Sequence, residues 1–103
     1  MQSSFHSFDN EYVELADFAK AISHPVRIQI LKTLFDKKCC ICGELVDMLP
    51  LSQSTVSQHL KELKRVGLIK GTIDGPRSCY CIDEKKFANV INKFCTFFCS
   101  ICK

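Results

Sequence analysis

The chain has 103 residues, 47% of them hydrophobic, which suits one domain with material for a core. Its net charge of +3 says little by itself, but the charge is unevenly placed. Residues 1–19 hold Asp9, Glu11, Glu14 and Asp17 and no Lys or Arg, whereas residues 61–77 hold Lys61, Lys64, Arg65, Lys70 and Arg77 against Glu62 and Asp74. The late segment is therefore where an anionic partner would be met. No apolar run approaches a membrane span, and the N-terminus lacks a basic stretch followed by an apolar one. A cytoplasmic protein without membrane contact is expected. In that compartment the eight cysteines point to metal binding, redox sensing or packing rather than structural disulfides.

A first helix is predicted over residues 8–21, where Phe8, Tyr12, Leu15, Phe18 and Ile22 form one apolar stripe. A second begins after Ser23, read as its N-cap, with Pro25 in the first turn. Val26, Ile30 and Leu34 form its inner row, broadened by Leu31 and Phe35. A short third helix carries Leu45, Val46 and Leu49 and stops at Pro50. A fourth starts at Ser52, turns Val56, Leu60, Leu63 and Val66 inward, and ends at Gly67.

The pattern then changes. Leu68–Ile73 and Arg77–Ile82 read as short strands around Asp74-Gly75, a hairpin signal. A last helix runs from Asp83 to the end, rich in Phe87, Val90, Ile91, Phe94, Phe97, Phe98 and Ile101. The expected fold is mainly α with a small β-hairpin wing (α+β). It is a winged helix-turn-helix of order α-α-α-α-β-β-α, with residues 1–103 forming one domain. Its terminal helices carry more apolar surface than so small a chain can hide, which predicts a homodimer.

The fourth helix has the layout of a DNA-recognition helix. Gln53, Ser54, Thr55, Ser57 and Gln58 crowd its start and outer face, and Lys61 follows. Short hydrogen-bonding side chains at a helix start reach base edges, and cations beyond them meet phosphates. An ordinary solvated surface helix has a similar outer face. The wing adds Lys70 and Arg77 beside a tight turn, placed to touch backbone or minor groove, or simply to protect the strand edges.

Together, HPVRIQIL, SQSTVSQHLKELKRVGLI and the hairpin ending SCYCI resemble the ArsR/SmtB family of metal-responsive repressors, over nearly the whole chain. The resemblance implies a dimer built from the first and last helices, double-stranded operator DNA as partner, and release by an inducer. It also implies DNA-contacting roles for Ser54, Thr55, Ser57, Gln58 and His59. His59 sits beside the inward row, so a half-buried, hydrogen-bonded histidine is the competing reading.

Cys39-Cys40-Ile41-Cys42 resembles the Cys-Val-Cys segment of arsenic- and antimony-sensing members, with Cys40 and Cys42 on the paired positions. One turn on, where a third thiol would fall, stands Leu45. Helical geometry lets Cys39 and Cys42 share a face, and Cys40 joins them only if the helix start is frayed. Three thiolates would suit As(III) or Sb(III) or a thiophilic divalent metal as inducer, with no obligatory cofactor. A rival metal site is Cys95, Cys99 and Cys102, which line one stripe of the last helix, although cysteine there can also be plain packing. Cys79 and Cys81 alternate with Tyr80 and Ile82 and face outward if those two face the core. Two further functions stay open: a DNA-binding thiol redox sensor, and a thiol oxidoreductase or metal chaperone. No βαβ pattern surrounds either Cys-x-x-Cys pair, and no arrangement of catalytic residues emerges, so an enzyme is not expected.

Overall fold

The computed structural model describes residues 8–37, 49–72 and 79–102. They form α1 (Asn10–Ala21), α2 (Pro25–Lys37), α3 (Gln53–Arg65), β1 (Ile69–Thr72), β2 (Cys79–Ile82) and α4 (Glu84–Ile101). The short helix expected around Leu45 and Val46 lies outside the described residues, as does the Asp74-Gly75 turn.

α1 starts two residues later than its apolar stripe suggested, because Asp9 caps it by accepting from the Glu11 amide at 2.8 Å. Leu15, Phe18 and Ala21 are its buried row. The cap of α2 differs from the expectation. His24, not Ser23, precedes Pro25, and its Nδ1 accepts from the Val26 amide at 3.1 Å. The Ser23 hydroxyl instead donates back to the Lys20 carbonyl at 2.7 Å, closing the end of α1.

α3 follows its sequence signals closely. Ser52 caps it, accepting from the Thr55 amide, and Val56, Leu60 and Leu63 are buried. At its other end the Gly67 amide bonds to the Lys64 carbonyl and the Leu68 amide to the Leu63 carbonyl. That pair of bonds is the Schellman arrangement, which puts Gly67 at φ +84° and brings the fully buried Leu63 and Leu68 together. β1 then pairs antiparallel with β2, Ile69 opposite Ile82 and Gly71 opposite Tyr80. Gly71 is required there. Its φ is +119°, and a Cβ would collide with the Cys79 carbonyl and the Tyr80 Cα.

Tyr80 and Ile82 point into the core, while Cys79 and Cys81 are half-buried on the other face, as alternation predicts. One core unites Phe18, Ile30, Leu31, Leu34, Leu49, Val56, Leu60, Leu63, Leu68, Ile69, Tyr80 and Ile82. α4 is capped by Asp83, which accepts from the Lys86 amide at 3.2 Å. It lays Phe87, Val90, Ile91 and Phe94 against that core, yet no residue of α4 is fully buried. Edge-on ring pairs join it to α1, Phe94 to Phe18 at 5.3 Å and Phe97 to Tyr12 at 5.8 Å. Four helices and a two-stranded hairpin among the described residues make the expected winged helix.

Candidate nucleic-acid interface

Because α3 buries one face completely, its opposite face is left to solvent. Gln53, Ser54, Gln58 and Lys61 are all exposed there. Ser54, Gln58 and Lys61, spaced four and three, make a stripe about 10 Å long. Thr55 and Ser57 are half-buried. The Thr55 hydroxyl lies 2.9 Å from the Ser52 hydroxyl, so it takes part in the cap as well as flanking the stripe. Two dipolar amides and a hydroxyl at the positive end of a helix, with an ammonium beyond, suit base edges and phosphates.

His59 does not join that stripe. It is half-buried, and its Nδ1 accepts from Arg27 Nε at 3.1 Å. Its ring lies 4.5 Å from that of His24. Burial, then His24, then Arg27 lower its pKa below the ordinary histidine value of 6.5. Arg27 also donates to the carbonyls of Lys20 and Ala21, both at 3.1 Å. Of the two readings of His59, the packed, hydrogen-bonded one is the one found: His59 is a joint between α2 and α3.

The late cluster of positive charge is less available than its composition suggested. Lys64 Nζ donates to the Gly71 carbonyl at 2.6 Å, tying the end of α3 to the wing. Arg65 grips two carboxylates. Its NH1 and NH2 donate to the two oxygens of Asp17 at 2.9 Å each, and Nε and NH2 to Glu62. The Arg65 hydrogen bond holds the Glu62 carboxyl below its usual range, and Asp17 and Glu62 push the guanidinium pKa further up. Lys61 and Lys70 remain exposed, Lys70 on β1 opposite Cys81. Arg77 lies outside the described residues.

Cys39, Cys40 and Cys42 also lie outside the described residues. The rival set can be placed. Cys95, Cys99 and Cys102 are exposed and share a stripe, but sharing a stripe is not convergence. Cys95 and Cys102, the C-cap of α4, stand about 10.5 Å apart along the helix axis. Among the described residues no three His, Cys, Asp or Glu side chains are gathered to hold a metal. No helix there is long and apolar enough to cross a membrane.

Asp17, His24 and Arg27 are the residues that the sequence reading passed over. All three touch side chains of α3.

A capped helix with a polar outer face, followed by a two-stranded wing on a helical core, defines a winged-helix DNA-binding domain. Residues 24–70 match the family described as bacterial regulatory protein, arsR family. The chain is 32% identical over 87 residues to the biofilm growth-associated repressor of Xylella fastidiosa, covering 84% of this chain and 75% of that one. It is 36% identical over 75 residues to the transcriptional repressor SmtB of Mycobacterium tuberculosis, covering 73% and 55%. Among solved structures it is similar to HlyU from Vibrio cholerae, with a TM-score of 0.65 and 29% identity over 89% of this chain and 99% of that one. The chain belongs to the ArsR/SmtB family. It is a DNA-binding transcriptional regulator of that repressor family, which sets aside the oxidoreductase and chaperone reading.

Proposed function

We propose that this protein represses transcription as a homodimer on operator DNA, gripping it through α3 and the wing, and lets go when a thiophilic metalloid or metal binds its thiolates. The exposed stripe of Ser54, Gln58 and Lys61, opposite a fully buried inner row, carries the DNA half of the reading. The dimer half rests on Tyr12, Phe98 and Ile101, which stay 53%, 44% and 63% exposed on the two helices that pack against each other. Apolar side chains of that size on adjoining faces favour a second copy.

The inducer half rests on Cys39, Cys40 and Cys42, whose pattern suits As(III) or Sb(III) and which stand ten to thirteen residues before Ser52. Drawing Cys40 and Cys42 onto one ion would strain the chain ten residues before the cap of α3 and so would bear on how α3 meets DNA. A coupling of roughly 1–3 kcal/mol would be ordinary for such a switch. A second reading, release by thiol oxidation, is favoured by one observation. Cys95, Cys99 and Cys102 are solvent-exposed and not assembled as a metal site.

A gel shift on the DNA upstream of the protein's own gene, with arsenite, zinc, cadmium or peroxide, separates these readings. Release by arsenite that is lost in Cys40→Ser/Cys42→Ser supports the lead reading. Release by peroxide alone, lost in Cys95→Ser/Cys99→Ser/Cys102→Ser, supports the second. Release that neither variant alters removes thiols from the mechanism.

A further inference from the structure

Arg65 stands eleven residues after Ser54, so it lies on the same stripe of α3 as Gln58 and Lys61, at the far end. By position it would be taken for a phosphate contact. Its surroundings argue otherwise. Four of its five N–H donors are engaged: NH1 and NH2 each reach Asp17 at 2.9 Å, Nε reaches Glu62 at 3.2 Å, and NH2 also reaches Glu62 at 2.6 Å. With two carboxylates already satisfying four donors, the guanidinium has one N–H left to offer a phosphate. Asp17 belongs to α1, 48 residues earlier, so this fork joins the end of α3 to a different helix.

The ion pair is a poor source of stability. Arg65 and Asp17 side chains are 40% and 38% exposed, and pairs in that setting contribute little to folding. A bidentate guanidinium–carboxylate fork does fix direction, because both groups are planar and two parallel bonds allow one mutual orientation. The other end of α3 carries the base-reading side chains, about 16 Å away along the helix axis. A small swing at Arg65 therefore becomes a displacement of Gln58 and Ser54.

We propose that Arg65 is a positioning residue for DNA binding: held by Asp17 of α1, it sets the angle at which α3 is presented and touches no phosphate. This rests on the reading of α3 as the DNA-binding helix.

The test uses the full chain with a duplex from upstream of its own gene and a scrambled duplex. Affinity is measured over a range of salt concentrations, alongside thermal melting. Asp17→Asn, and Arg65→Lys, which keeps the charge and loses the fork, should each weaken binding to the upstream duplex about threefold, within what an exposed ion pair is worth. The dependence on salt and the melting temperature should stay as in the wild type, because no phosphate contact and little folding energy are lost. The charge-swapped Asp17→Arg/Arg65→Asp, combined with Glu62→Gln to avoid a like-charge contact with the new Asp, should recover part of the affinity.

A phosphate contact predicts the opposite pattern. Asp17→Asn would then tighten binding, and Arg65→Ala would flatten the salt dependence by about one ion. Either result overturns the proposal, as does a loss of affinity that tracks a fall in melting temperature, or wild-type binding by all the variants. A wild-type chain with no salt-dependent binding to either duplex would remove the DNA reading of α3 itself, and this proposal with it.

Discussion

α3 and α4 are both amphipathic helices, and they end up in opposite situations. α3, at 13 residues, buries Val56, Leu60 and Leu63 to 2% exposure or less. α4, at 18 residues and richer in aromatic side chains, buries none. The inner face of α3 is satisfied by the chain's own core, so its remaining face is polar and suits a polyanion. Much of the apolar material of α4 is left over after Phe87 and Phe94 have found the core. The difference separates two kinds of surface, one for DNA and one that suits a second copy of the chain.

The sharpest way to break this contrast is to truncate each inner row. Leu63→Ala removes a side chain with no exposure from the centre of the core, and should cost roughly 2–5 kcal/mol in denaturant unfolding. In α4, Phe98→Ser with Ile101→Ser should leave the unfolding of the subunit nearly unchanged and weaken self-association by tenfold or more in sedimentation. If the α4 pair destabilises the fold as much as Leu63→Ala does, that face belongs to the core and the contrast is wrong.

A smaller effect is expected on the polar face of α3. Gln58→Ala should cost about 1–3 kcal/mol on the operator and much less on scrambled DNA, measured by competition binding, if the amide reads a base edge. Equal losses on both sequences would place Gln58 on the backbone instead.

The smallest effect concerns pH and separates His59 from its exposed neighbours. His59 has a lowered pKa, and its Nδ1 accepts from Arg27, so the neutral ring is the folded form. Linkage then makes stability highest above 6.5, the unfolded value, and lowers it as pH falls through the depressed folded value. His24 and Arg27 add positive charge against a protonated ring, and Glu62, one turn on, is held by Arg65. Melting temperature should fall on acidification below 6.5, and His59→Gln should lose part of that dependence. An unchanged profile in the variant would assign the acid sensitivity to other groups.

What the sequence disclosed follows the range of the forces involved. The limits of α3 were readable because Ser52, the inner row and Gly67 act within a few residues of one another. Which face of β2 meets the core was readable from the alternation of Cys79, Tyr80, Cys81 and Ile82, but the pairing of Ile69 with Ile82 was not. The seating of α3 was not, since the partner of Arg65 is 48 residues away and that of His59 is 32 residues away. The same limit made Lys64 and Arg65 look like charges facing DNA. Helical periodicity put Cys95, Cys99 and Cys102 on one face but was silent about the distance along it. At the start of α2 the expected Ser23 cap gave way to His24, because Pro25 fixes the first helical residue and the ring of the residue before it reaches the Val26 amide.

The most direct test of the whole account is the stoichiometry and salt dependence of the complex with the duplex upstream of the gene, measured together by sedimentation and titration. Two chains per duplex, with affinity falling steeply as salt rises, are the predicted result, because two α3 helices would meet phosphates across a pair of half-sites. One chain per duplex, or binding indifferent to salt, would contradict it.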